Sequence, residues 1–524
     1  MTVNESPSAA SGLVARLGAI VGLDHVIVDA VERKYFSRDI FFWDGAAVAE
    51  VVVQPADADE VAAVVGAARQ AACAVIPRGG GMSYTKGYVP DREGAVLLDL
   101  RRLDSIIDFN PQDMYVTVGA GCTWRKLSET IEGERFLPVI TPPFSGIYST
   151  VGGALSQNVP DGMDGVLGVE VVLGDGRIVR TGSGGRHDGG SPFYRNYGPD
   201  LTGLFLGDTG AFGIKTRATL ALRPAPAGEA LASFAFDNFK DLAAASSACG
   251  RLGVVTLGVG LDPVKNQSAA RVSFGAGIKT IGGIAKSGPS LAGGVRQAAK
   301  AVKAGRHFLD GVAWSFHVVV EGVNQDAAEA GLELARQVCL KKGREIANTL
   351  VAAMRSQPYS VRGFLGAEGE RWVPTNAVLP HSKVVDAVRR TEEFFAERKE
   401  RMDAASMKHS YITTVRTNYF LLEPSFYWPD EVSELHLRHL GEGDRRKFEG
   451  LAANPAARSL AKEIRQDLRD LFFELGAVNL QIAKFYRYKD ALDPATWGLV
   501  RDLKQSLDPD GVMNPGNLGL DIQK

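Results

Sequence analysis

The stretch that decides the fold runs from Val75 to Pro90, VIPRGGGMSYTKGYVP. Ala74, Val75 and Ile76 make a short apolar run of the kind that forms a buried strand. The run stops at Pro77-Arg78 and opens into Gly79, Gly80 and Gly81, followed by Met82, Ser83, Tyr84 and Thr85. Successive glycines permit positive φ, so neighbouring N–H groups can converge on one anion. Such a nest suits a pyrophosphate, with the Ser83 and Thr85 hydroxyls as further donors. No Gly-Lys-Ser/Thr follows, which excludes a P-loop, and no helix opens behind the glycines, which excludes a dinucleotide fingerprint.

Outward from this loop the elements alternate. Residues 1–47 begin flexible and become helical over 12–21 and 24–31, before a turn at Trp43-Asp44-Gly45. Residues 51–53 read as a strand, and Asp57 is placed to cap a helix whose Val61, Val64, Val65 and Ala68 share one face. Further strands are expected at 95–100 and 115–118, with a helix over 124–131. Residues 169–173 and 177–180 read as a hairpin turning at Asp175-Gly176.

At 524 residues the chain has room for two or three domains. A net charge of −2 gives no pull towards nucleic acid, which is excluded as a partner. Cys73, Cys122, Cys249 and Cys339 lie far apart without metal spacing, so reduced thiols and a cytoplasmic setting are expected. The first residues lack the features of a signal peptide, and no apolar run is long enough to span a bilayer.

The runs PRGGGMSYTKGY, GCTWRKL, TPPFSGIYSTVGGALSQN, GVEVVLGDGRIVRTG, LFLGDTGAFGIKTRATL and LDPDGVMNPGN occur in this order. Together they resemble the FAD-binding domain of the vanillyl-alcohol oxidase and p-cresol methylhydroxylase flavoproteins. The resemblance implies an α+β protein: a PCMH-type, two-subdomain FAD-binding domain with an α+β cap, or substrate, domain. The expected divisions are 1–47, an N-terminal helical segment; 48–226, the FAD-binding domain; 227–480, the cap; and 481–524, a C-terminal segment closing on the FAD domain. It also implies cofactor contacts at Pro77, Arg78, Gly79, Gly80, Gly81, Met82, Ser83, Tyr84 and Thr85, and at Pro142, Thr150, Val151, Gly152, Gly153 and Asn158. Gly207, Gly210, Gly213, Ile214 and Asn514 complete that set.

Two departures bear on how FAD is held. Relatives that attach the cofactor through a histidine place it where Met82 stands, and TPPFSGIYSTVGG lacks the cysteine of a second linkage. Non-covalent FAD is therefore expected, with His381, His409 and Tyr419 as alternative cap anchors. The metal-binding branch carries a His-rich stretch where this chain has Asn-Leu-Gln-Ile-Ala-Lys, so no metal is expected.

Alcohol oxidation at a flavin needs a base within hydrogen-bond reach of the O–H. Three clusters offer one: Arg416 and Tyr419 in an alternating stretch; Asn479, Gln481, Lys484, Tyr486 and Arg487; and His381 beside Arg371 and Trp372. Arg416 or Arg487 can clamp a carboxylate bidentately. Tyr419, Tyr486 or His381 can accept the proton, and His317 reads as core. The expected function is hydride transfer from a 2-hydroxy acid of the D-lactate kind, with a quinone or cytochrome as acceptor. The alternatives are oxidation of phenolic or lipophilic alcohols and an NAD(P)H-fed reductase of the same fold. Residues 263–309 contain Lys and Arg but no Asp or Glu, and this basic insertion offers contact with an anionic membrane's inner face. A homodimer is among the expected assemblies.

Overall fold

The computed structural model describes residues 9–159, 161–266, 311–356, 358–359 and 364–521. The basic insertion lies outside the described residues from position 267 onward. The chain divides into two compact units: one runs to Ala225 and resumes at Leu480, and the other spans Pro226–Asn479. Helices and strands occur in both, an α+β architecture.

The first unit holds two sheets. Strands β1 (Val26–Ile27), β2 (Val51–Val53), β3 (Val75–Arg78) and β4 (Val96–Asp99) lie in the order β1-β2-β4-β3, with β2, β4 and β3 parallel. Helices Ala9–Val21 and Ala58–Gln70 bury Leu13, Leu17, Val61, Val64, Val65 and Ala68 in one core with Val51, Val53, Val96 and Leu98 of this sheet. The Asp57 carboxylate caps the second helix, accepting the Glu60 N–H at 2.8 Å. The helix expected over 24–31 does not form. Val26 and Ile27 pair instead with Val53 and Val52, and Asp29 caps a later helix, Ala30–Phe36, by accepting from the Val31 and Glu32 amides. A strand hydrogen bond and a strong N-cap outcompete a helical periodicity of barely two turns.

The second sheet is antiparallel: β5 (Ile106–Asn110), β6 (Tyr115–Gly119), β7 (Phe136–Pro138), β8 (Val166–Val172), β9 (Ile178–Arg180) and β10 (Ile214–Pro224), in the order β5-β6-β10-β8-β9 with β7 also on β10. The β8–β9 hairpin turns at Gly176, whose φ of 88° lies in the left-handed region that a side chain disfavours. Near the chain's end the Val75 amide donates to Val512 O at 2.8 Å and the Asn514 amide to Val75 O at 2.8 Å. Residues 512–514 thereby lie alongside β3.

The other unit is built on one antiparallel sheet of eight strands. These are β11 (Gly228–Phe236), β12 (Leu257–Leu261), β13 (Trp314–Gly322), β14 (Arg344–Ile346), β15 (Arg371–Pro374), β16 (Ala377–Leu379), β17 (Lys408–Val415) and β18 (Phe420–Trp428). Their order is β14-β11-β13-β12-β17-β18-β15, with β16 also on β18. Residues 416–423 do not make one alternating strand, because the chain turns at 416–419 and the Arg416 amide donates to Tyr419 O at 3.0 Å. Along β18 the alternation holds: Phe420, Leu422 and Phe426 are fully buried, while Leu421, Glu423 and Tyr427 are partly exposed on the opposite face. Among the described residues no helix is long and apolar enough to cross a membrane.

Candidate functional site

In the first unit the end of β3 opens into a concave cavity walled by three loops. Pro77, Arg78, the three glycines 79–81, Met82 and Ser83 form one wall. Thr150, Gly152, Gly153 and Gln157 form a second, at the helix Val151–Ser156, and Thr209, Gly210, Gly213, Ile214 and Lys215 a third. Gln481 joins them from the last part of the chain.

The glycines are required by how tightly the loops meet. A Cβ on Gly80 would lie 2.0 Å from Tyr148 O, one on Gly79 2.4 Å from Thr150 Oγ1, and one on Gly210 2.8 Å from Pro77 Cγ. Gly81 has a φ of 77°. Its carbonyl accepts from the Tyr88 hydroxyl at 2.8 Å, and burial pushes the Tyr88 pKa well up, so this donor keeps its proton.

The lining holds buried polar atoms that find no hydrogen-bond partner among the described residues: Gln157 Oε1, Thr209 Oγ1, and Nε and Nη2 of Arg78. The Arg78 guanidinium is sealed from solvent, 5.4, 4.9 and 5.2 Å from the ring centroids of Tyr35, Phe36 and Tyr88. Orphaned buried donors and acceptors are costly and rare, and several distributed over the three walls of one cavity point to a polar ligand that completes them. An anionic dinucleotide with a heteroaromatic ring fits this donor set.

Other expected contact residues stand behind the lining. The Thr85 hydroxyl is 3.2 Å from that of Ser83, and the Val151 amide donates to Cys122 O. The Gly207 amide donates to Leu155 O, and Asn158 adopts a φ of 53°. Asn514 Nδ2 ties two loops together, donating to Gly87 O at 3.0 Å and Thr209 O at 2.8 Å. Pro143 rather than Pro142 faces the cavity. Reading by residue type missed Lys215, whose ammonium meets the Asp208 carboxylate at 2.6 Å within the buried LGDTG loop. An acid seven positions before a lysine, across a turn, was the available signal.

Of the late cluster only Gln481 lines the cavity, donating to the Tyr84 hydroxyl at 2.7 Å. Lys484 is committed to Asp91 at 2.7 Å and Val89 O at 2.9 Å. Tyr486 is buried edge-on against Phe485. Arg487, expected to clamp a carboxylate, is paired with Asp490 at 3.0 Å, one helical turn away.

In the second unit His381 serves as a clamp. Its Nε2 faces the carbonyls of Arg416 at 3.1 Å and Thr417 at 3.2 Å, so that nitrogen carries the proton, and Nδ1 accepts from the Ser247 hydroxyl at 2.9 Å. Both ring nitrogens are engaged in holding the β17–β18 turn. Arg416 Nη1 donates to Val415 O at 3.0 Å, Tyr419 lies in that turn, and Asn479 Nδ2 donates to Asn376 O at 2.7 Å. His409 stacks on Phe395 at 4.1 Å in the helix-side core. His317 is buried between the hydroxyls of Ser233, 2.8 Å from Nδ1, and Ser315, 2.9 Å from Nε2.

The fold, a glycine-built dinucleotide cradle in one unit and an eight-stranded antiparallel sheet in the other, defines a flavoprotein class. Residues 49–182 match the FAD binding domain family, and residues 482–518 match the family of FAD linked oxidases, C-terminal domain. The chain therefore carries an FAD binding domain over residues 49–182 and an FAD-linked oxidase segment over 482–518, and FAD is its cofactor. It is similar to the mitochondrial D-lactate dehydrogenase (cytochrome) 1 of Saccharomyces cerevisiae, 26% identical over 214 residues, 39% of this chain and 35% of the relative. It is also similar to the glycolate oxidase subunit GlcD of Bacillus subtilis, 30% identical over 187 residues, 34% of this chain and 37% of the relative. The matched segment thus spans little more than a third of the length of these relatives. In fold it resembles the crystal structure of p-cresol methylhydroxylase with substrate bound, with a TM-score of 0.72 and 18% identity over 99% of this chain and 98% of that one.

Proposed function

We infer that this protein oxidises the carbinol carbon of a small 2-hydroxy acid, with FAD as the immediate oxidant and an external quinone or cytochrome as the final acceptor. The observation that carries the redox reading is the cavity at the end of β3, with its unsatisfied Gln157, Thr209 and Arg78 atoms. Bound there, FAD supplies a two-electron acceptor at its ring. The chain's own part is to hold it. Amides of the Gly79–Met82 loop and the Ser83 and Thr150 hydroxyls are the donors for the pyrophosphate, Arg78 supplies positive charge, and Gln481 reaches the lining from the final segment. The substrate class is supported by the two curated relatives, one a dehydrogenase of D-lactate and one an oxidase of glycolate, both 2-hydroxy acids.

Met82 at the end of the loop offers no atom for a flavin bond, so the cofactor is held without one. Acid precipitation of the yellow protein should leave all the flavin in the supernatant; colour retained in the pellet would show a covalent link.

The functional test is anaerobic. Adding D- and L-2-hydroxy acids to the holoprotein should bleach the flavin band, with one enantiomer acting faster. Bleaching by aryl alcohols alone would transfer the protein to the phenol-oxidising class. Bleaching by NADPH without any alcohol would make it a reductase.

A further inference from the structure

On strand β18, Glu423, Ser425 and Tyr427 occupy alternate positions and leave the sheet on one face. Register places Ser410 of β17 directly opposite Ser425, and Trp372 of β15 opposite Tyr427. Ser410 and Ser425 are fully buried, and among the described residues neither hydroxyl has a hydrogen-bond partner. Two orphaned hydroxyls side by side on one sheet face call for a group that satisfies both. The ammonium of Lys265, just beyond β12, reaches the same face. Its Nζ donates to the Tyr427 hydroxyl at 2.6 Å and lies 5.7 and 5.3 Å from the ring centroids of Trp372 and Tyr427. An ammonium has three donors, and Tyr427 takes one.

Burial raises the Glu423 carboxyl to about 7, opposed by the charge of Lys265. Asp262, at the end of β12, is raised to about 6 by burial and accepts the Lys265 amide at 2.8 Å. Lys408 of β17, opposite Tyr427, is turned to Glu370 at 3.5 Å. A protonated carboxyl, two hydroxyls and one ammonium form a donor-rich set suited to a small anion that also carries a hydroxyl or keto oxygen.

We propose that Lys265, Ser410, Ser425 and Glu423 form a binding site for the carboxylate and adjacent oxygen of a 2-hydroxy or 2-oxo acid on the cap sheet. Lys265 takes the carboxylate, the serine pair donates to it, and the Glu423 carboxyl donates to the neighbouring oxygen. The site deepens the substrate reading given above and rests on it for the choice of ligand. Because an ionised Glu423 would face the anion, affinity falls as pH rises through neutrality.

The test is calorimetric titration of the holoprotein with pyruvate, which needs no turnover. Wild-type protein should bind at pH 6 and lose up to about tenfold in affinity per pH unit above about 7. Lys265→Met should weaken binding about tenfold or more at every pH, as loss of a charge-assisted contact does. Ser410→Ala with Ser425→Ala should weaken it less, and Glu423→Gln should bind at pH 6 and stay flat above 7. Thermal melts of each variant separate loss of the site from loss of the fold. Pyruvate binding that is absent from wild type, or unchanged in folded Lys265→Met and pH-dependent in Glu423→Gln, would overturn the site. Flavin reduction by a hydroxy acid with unchanged binding in Lys265→Met removes this site alone. Lys265-dependent binding without reduction by any hydroxy acid removes the functional reading and leaves the site.

Discussion

The Lys215 ammonium and the Asp208 carboxylate lie 2.6 Å apart with both side chains sealed from solvent. Asp208 also accepts the Gly210 amide at 3.1 Å, so the pair shapes the loop that walls the cavity. A buried pair is worth little over an apolar one, but breaking it leaves a bare charge and costs roughly 3–5 kcal/mol. Lys215→Met should therefore lower the urea midpoint sharply and cut flavin content. Adding Asp208→Leu should restore part of the stability, and additive effects in the double-mutant cycle would refute the coupling.

Gly80 marks where two loops touch. Gly80→Ala forces a Cβ within 2.0 Å of Tyr148 O, which must shift the glycine loop. Overpacking of this kind costs about 1–3 kcal/mol. The variant should purify with less flavin and a lower Tm. Gly443→Ala, whose Cβ meets nothing within 4 Å, should match wild type in flavin content.

Acid should unfold the second unit early. Burial depresses the His317 and His409 imidazoles to about 4, with the Lys399 charge adding to the effect on His409. Unfolded histidines protonate near 6.5, so the unfolded state binds more protons as pH falls from there, and stability drops until the folded rings protonate near 4. The loss is at most about 3 kcal/mol for each. His317→Gln, which keeps hydrogen bonds to both serines, should flatten the melting temperature between pH 6.5 and 4; an unchanged slope would discount His317.

Thiol chemistry separates the four cysteines. Cys122, Cys249 and Cys339 are buried, and the Sγ atoms of the last two lie 3.6 Å apart as free thiols, whereas Cys73 is half-buried. Ellman's reagent should titrate one thiol in the native protein, abolished by Cys73→Ser, and four in urea. A second fast equivalent would mean that the helices bearing Cys249 and Cys339 open readily.

What could be read in the sequence was local. The cap at Asp57, the turn at Gly176 and the glycine loop each depend on neighbours a few residues away, and short-range chemistry decides them. Residues 24–31 failed because two residues of strand pairing, invisible without the partner strand, override a weak helical pattern. The catalytic candidates show where reading by residue type stops. Arg487, Lys484 and His381 are residue types that do chemistry, and the structure shows them answering Asp490, Asp91 and Ser247. Asp490 is only three positions from Arg487, so that pairing was open to inspection. The environment of Arg78 was not, since Tyr35, Phe36 and Tyr88 flank it from both sides of the chain.

The alignment of residues 512–514 with β3 has a consequence for biosynthesis. The first unit draws backbone partners for β3 from a stretch made more than 400 residues later, so that edge of its sheet stays open while the ribosome is translating Pro226–Asn479. Nascent chains must hold the Val75 amide without its final acceptor until residues 226–479 have been made, and the edge of β3 is closed only after that.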